Sequence, residues 1–252
     1  MNDIGTFRAI LIHLELYQKS HSFSKIHQMK YTPLSSRFYL KNRQNFVKHM
    51  VPKSLAVFNS NDIYPVSADS TMPFKQHRDI LHLSGVDQEE SILVLFPDAH
   101  DPQHREVLFL KETSELIAIW EGEKLDKKSA FELSGIKSVF WLNQFDVEFK
   151  KMMSQAVSVY INTNEHLRAN TEVQTREDRF IVDLKQKYPA HIYRKSAPIM
   201  HDIRSIKDQE EIEAMQHACN ITKMGVERIL KYIKPGVWEY EIEAELMHEF
   251  IR

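Results

Sequence analysis

Asp208-Gln-Glu-Glu-Ile-Glu-Ala-Met-Gln-His-Ala-Cys-Asn-Ile-Thr-Lys-Met-Gly-Val-Glu-Arg-Ile-Leu-Lys-Tyr-Ile-Lys-Pro-Gly236 carries the strongest periodicity in the chain. Ile212, Met215, Cys219, Thr222, Val226, Ile229 and Ile233 recur at spacings of three and four, which places them on one stripe of an α-helix. Asp208 is suited to cap that helix, with Glu211 three residues on as in a capping box. Acidic residues open it, Lys231 and Lys234 close it, and Pro235-Gly236 stops it. A second amphipathic helix runs from near Trp238 through Ile242, Leu246 and Phe250.

Upstream of these helices the pattern changes. Leu55–Phe58, Ser91–Phe96, Glu106–Leu110, Ser138–Trp141 and Ala156–Ile161 are short apolar runs bounded by polar or turn residues, and they predict buried strands. Helical patterns over 37–50, 123–134, 146–155 and 175–188 alternate with them, while 66–85 reads as loop-rich. Strands alternating with helices from 34 to 195 predict an α/β three-layer sandwich, with helices on both faces of a mixed sheet. Ser196-Ala-Pro198 is the expected linker to an all-helical stretch, 199–252.

The chain has 252 residues, 42% of them hydrophobic and 27% charged, with a formal net charge of −2. That balance gives no general attraction to nucleic acid or to an anionic membrane. No apolar run approaches the roughly 20 residues of a membrane-spanning helix. The single cysteine, Cys219, excludes an intrachain disulfide and a cysteine-based zinc site. Its place on the apolar stripe predicts a buried small side chain. Six glycines supply no Gly-rich phosphate loop. Residues 1–28 read as an extension, either a weak helix or a stretch upstream of the true start. Met1-Asn-Asp-Ile lacks a basic secretory n-region, so the expected compartment is the cytoplasm.

Several motifs carry a resemblance. Arg204-x-x-Lys207-x-x-x-Glu211-Ile212, Met215-x-x-Ala218, Ile221-Thr222, Pro235-Gly236-x-x-Glu239-Tyr240 and His248-Glu-Phe250-x-Arg252 resemble the entry to the catalytic domain of Xaa-Pro aminopeptidases (aminopeptidase P). Those enzymes belong to the creatinase/prolidase, or pita-bread, metallohydrolases. Ala68-Asp69-Ser70-x-x-Pro73-Phe74-x-Gln76 with Asp79–Gly85, and Ile119-Trp120-Glu-Gly122, are similar to signatures of the family's N-terminal domain. The resemblance spans about 30–252. It divides the chain into an N-terminal domain, 30–196, and the first helices of a truncated catalytic domain, 199–252.

The resemblance implies a manganese-dependent hydrolase that releases the N-terminal residue before proline, acting on proline-containing peptides as a homo-oligomer. In the family two Asp, one His and two Glu hold a pair of divalent metals, and this chain stops before that set. It is therefore expected to bind no metal and to be inactive alone. The other function open to it is a non-catalytic module that binds peptides or a protein partner. By motif, Trp120 is the family tryptophan that reaches over the substrate pocket, against packing as an ordinary half-buried side chain. Asp69 is the carboxylate near the active-site entrance of a neighbouring subunit, against a turn-capping role. A Trp face packs well on a pyrrolidine ring, and a carboxylate can pair with a peptide's free ammonium. The family arginine before the linker has no matching position, although Arg194 is nearby.

Asp98, His100, Asp101 and His104 share one loop and imitate a metal site, but their spacing imposes no geometry, and a solvated loop is expected. The apolar stripe of the 209–233 helix needs a partner. The expectation is self-association through that face.

Overall fold

The computed structural model describes residues 31–169 and 172–252. The expected 1–28 extension lies outside the described residues. Those described fall into two compact units, one up to Ala197 and one from Pro198 onward. No described helix is long and apolar enough to cross a membrane.

The first unit is an α/β three-layer sandwich. Its sheet has six strands: β1 (Ser54–Asn59), β4 (Ile92–Leu95), β5 (Glu106–Leu110), β6 (Ser138–Trp141), β7 (Ser158–Ile161) and β8 (Ile192–Lys195). They run in the order β6-β5-β4-β1-β7-β8. β4 pairs antiparallel with both β1 and β5, whereas β1–β7, β7–β8 and β5–β6 are parallel. Two shorter strands, β2 (Pro65–Ser67) and β3 (Ser70–Thr71), form a separate hairpin.

All six residues of β1 are buried, which requires cover on both faces. Helices α5 (Phe145–Met153) and α6 (Arg176–Lys187) cover one face. There Leu55 and Val57 join Val94, Val107, Phe149 and Ile181 in the main apolar cluster. Alternation turns Ala56 and Phe58 to the opposite side, where α1 (Ser36–Lys48) brings Phe46 to 5.2 Å from Phe58, ring centre to ring centre. Helices α2 (Arg78–Ser84) and α4 (Lys127–Ser134) flank α1. They add Ile80, Leu83, Ala130 and Leu133 to the buried side chains.

Arg43 holds this layer together. It is fully buried and donates from Nη1 to the carbonyls of Leu83 and Ser134, both at 2.9 Å. Its Nε pairs with Glu106 at 3.0 Å. One guanidinium thus meets the carbonyl-rich ends of α2 and α4 and ties both to β5.

The second unit contains α8 (Gln209–Tyr232) and α9 (Glu239–Ile251), preceded by α7 (Ala197–Ser205), which begins at the boundary. The capping box is formed: the Asp208 side chain accepts from the Glu210 N–H, and Glu211 accepts from the Asp208 N–H at 2.9 Å. α8 and α9 meet at Gly225, where an added Cβ would stand 2.6 Å from Leu246 Cδ1. Arg228 pairs with Glu245, and with Glu249 at 2.9 Å.

The stripe that predicts a core-facing helix is largely open. Ile212, Met215, Val226 and Ile233 are exposed, and so is Leu230 at the border of the stripe. Cys219 corrects its expectation, because it too is exposed. It lies nearly two turns nearer the start of α8 than the Gly225 crossing with α9.

Candidate functional site

Trp120 sits on α3 (Glu115–Glu121), a helix of seven residues. Ser114 starts it by accepting the Ile117 N–H at 3.3 Å. Gly122 ends it at φ +82°, a conformation that other residues enter at a cost. Lys111, at the end of a buried strand, pins it by pairing with Glu121 at 3.1 Å. Trp120 is 82% exposed, Ile119 75% and Leu116 67%. Half-buried packing therefore does not describe this tryptophan. The helix presents three apolar side chains together at the surface.

Asp69 occupies the turn of the β2–β3 hairpin, beside Ala68 at φ +49°. It is exposed. Asp69 and Trp120 lie on different elements, and neither makes a side-chain hydrogen bond or ring contact among the described residues. A turn-capping bond is thus not what Asp69 provides.

The remainder of the same motif builds the fold. Gln76 is buried and donates from Nε2 to Val86 O at 3.0 Å, Gln88 O at 2.9 Å and Ser91 Oγ at 3.2 Å. His77 caps α2 by accepting the Asp79 N–H. Gly85 closes α2 at φ +74°, with the Tyr39 ring close against it. The stretch read as loop-rich thus contains a hairpin, a buried amide lock and a capped helix.

Three of the four side chains in the Asp98–His104 group have partners of their own, and His100 is held by its backbone N–H, which donates to Gln155 Oε1 at 3.0 Å. Asp98 accepts the Lys53 N–H at 2.6 Å, and Asp101 accepts the Gln103 N–H at 2.9 Å. His104 is buried rather than solvated and meets Glu148 at 2.9 Å. Lys151 and His104 hold the Glu148 carboxyl below its ordinary pKa, with Lys151 the stronger influence. The described residues do not fit the two-metal centre that the resemblance implies. Among them no three His, Cys, Asp or Glu side chains gather as a metal would require.

Sequence reasoning passed over one cavity in the first unit. It has a volume of about 230 Å³ and lies beyond the carboxyl ends of β1 and β7, against the start of α6. Asn59, Asn61, Asn162 and Asn164 line it, together with Arg176 and Glu177. Asn59 Nδ2 donates to Glu177 Oε2 at 2.9 Å, but the buried Oε1 has no hydrogen-bond partner. Burial pushes the Glu177 carboxyl up to about 7, and the Asn59 bond opposes that rise. An alternating-pattern search finds core positions, so these polar residues at strand ends gave it nothing to detect.

The family model for the aminopeptidase P N-terminal domain matches residues 39–160. Residues 39–160 belong to the aminopeptidase P N-terminal domain family. The Xaa-Pro aminopeptidase of Escherichia coli is 27% identical over 220 residues, covering 87% of this chain and 50% of the relative. That of Haemophilus influenzae is 24% identical over 212 residues, covering 84% and 46%. The low-pH form of E. coli aminopeptidase P superposes with a TM-score of 0.73 at 26% identity, covering 86% of this chain and 49% of that one. A zinc-substituted E. coli aminopeptidase P in complex with product gives a TM-score of 0.71 at 25% identity, with coverage of 86% and 50%. The chain spans about half the length of the curated relatives it matches.

The matched residues hold β1 to β6 and most of β7, the Gln76 lock and the α3 helix, whereas β8 lies after them. Asp69 and Trp120 fall inside the matched residues; Glu177 and the helices of the second unit fall after them.

Proposed function

We propose that these residues form the N-terminal portion of a manganese-dependent Xaa-Pro aminopeptidase, which releases the residue preceding proline from proline-containing peptides in the cytoplasm. The observation that carries this is the extent of the match: 87% of the chain aligns with half of an enzyme of that name. Residues 30–196 act as the domain that shapes substrate access. Residues 199–252 begin the catalytic domain. The exposed Trp120 face packs on the substrate's proline ring, and Asp69 offers its carboxylate to the peptide's ammonium group. Two manganese ions belong to the catalytic half, where they would supply a bound hydroxide and polarise the carbonyl before proline.

These 252 residues by themselves are inactive on this proposal. With added Mn²⁺ the purified chain releases no residue from an Xaa-Pro peptide; chelator-sensitive release would overturn this. Joined to the catalytic half of the E. coli enzyme, the chain supports cleavage, and Trp120→Ala lowers kcat/KM about tenfold, the loss of one aromatic contact. Peptide binding without cleavage by the joined protein would favour a non-catalytic module instead. Homo-oligomerisation is part of the same proposal, and the exposed face with Val226, Leu230 and Ile233 is what supports it. A chain that sediments as a monomer at all concentrations would remove that part.

A further inference from the structure

The cavity beyond β1 and β7 occupies a place defined by topology. From β1 the chain passes through α2 to β4, on one side of β1; from β7 it passes through α6 to β8, on the other. α6 covers the face opposite to α1 and α2. Two parallel strands whose connections diverge leave a crevice outside their carboxyl ends, where ligands of open α/β sheets bind. Here the crevice is walled by four asparagines, and the first turn of a twelve-residue helix opens onto it.

The charges around it are unevenly matched. Asp62 accepts the Arg176 N–H at 2.6 Å and pairs with Arg179. Asp178 is held by Thr175, from N–H at 2.9 Å and Oγ1 at 2.7 Å. The Arg176 guanidinium donates to Ser60 Oγ at 2.9 Å. Glu177 accepts from Asn59 Nδ2 on Oε2, and the backbone N–H groups of Asn59 and Asn162 also favour its charged form, but its buried Oε1 has no hydrogen-bond partner. A buried carboxylate short of donors is costly. The torsion that turns a glutamate carboxyl is soft, so the group can rotate towards a donor arriving through the cavity.

We propose that this cavity binds a small molecule through its primary ammonium group, with the Glu177 carboxylate as the anionic anchor and the surrounding asparagine side chains as neutral hydrogen-bond partners. The unpartnered Glu177 oxygen favours a donor, and a cationic donor compensates a buried anion better than a neutral one.

The test is a titration of the ¹⁵N-labelled full chain with ethanolamine, using ethylene glycol as the neutral probe of the same size. Ethanolamine is expected to give saturable shifts at the backbone amides of residues 59–62, 162–164 and 175–178, and ethylene glycol none. E177Q is expected to bind at least tenfold more weakly. On the unmodified chain affinity rises about tenfold from pH 6 to pH 8, as the carboxyl that burial has pushed up to about 7 ionises. Asp62, Asp178 and Arg176 also face the cavity, as does His77, whose residue type ordinarily titrates in this range. H77N therefore keeps the pH dependence and E177Q loses it. No saturable shift, an equal response to ethylene glycol, or tight binding by E177Q would each overturn the proposal. Should E177Q not fold, the pH profile of H77N decides, and a flat one overturns it.

Discussion

Arg43→Ala is expected to destabilise the first unit by ~3–5 kcal/mol, the usual cost of removing one partner from a buried pair. The side chain is fully buried and serves three acceptors: Glu106 Oε2, Leu83 O and Ser134 O. Burial draws the guanidinium pKa below its free value, and Glu106 opposes that shift. Removing the cation leaves the last-turn carbonyls of α2 and α4 without their donor and Glu106 without its counter-ion. Arg43→Met separates volume from chemistry. It fills the space and still orphans the acceptors, so it should recover only a minor part of the loss. Urea unfolding followed by circular dichroism reads both. A shift of less than ~1 kcal/mol for Arg43→Ala would show that the layer does not depend on this residue.

Gly85→Ala is the second large effect, expected at ~2–4 kcal/mol. Two costs coincide there. The residue is at φ +74°, which an L side chain enters at ~1–2 kcal/mol. Its Cβ would stand 2.4 Å from Tyr39 Cε2, so the buried ring must move, an overpacking cost of ~1–3 kcal/mol. Gly135 provides the control. It closes α4 at φ +73°, but its nearest neighbour to an added Cβ is the Ser36 carbonyl at 3.6 Å, an ordinary contact. Gly135→Ala should therefore carry the conformational cost alone. Equal losses at the two positions in thermal unfolding would show that the Tyr39 contact is relieved without penalty.

The central strands were legible because burial writes itself as composition. Leu55–Phe58, Ser91–Phe96 and Glu106–Leu110 are apolar on both faces, and the sheet buries them on both. Helix α2 was not legible. It is seven residues long, shorter than the window in which a helical period shows, and Pro73 and Gly85 around it suggest a loop. β8 was missed for a different reason: Ile192-Tyr-Arg-Lys195 is an edge strand, mostly exposed, and lacks an apolar run. For the candidate site, the motif located Trp120 and Asp69 but not their surroundings. Gln76 reads as a polar residue in a loop. Only three-dimensional placement shows its amide joining three separate positions of the chain. Cys219 failed because a helical stripe states which residues share a side, not whether anything lies against them.

The pairing of β1 with β7 bears on the order of events during synthesis. Leu55 faces Val159 in that ladder, a partner made roughly a hundred residues later. At translation rates of ~5–20 residues per second, the middle strand waits ~5–20 s for one of its two neighbours. Meanwhile β4 and β5 can zip onto it from the other side, since they follow in sequence and pair antiparallel. The nascent chain thus holds a three-stranded apolar sheet with an unpaired edge at β1, the kind of intermediate that recruits chaperones or aggregates.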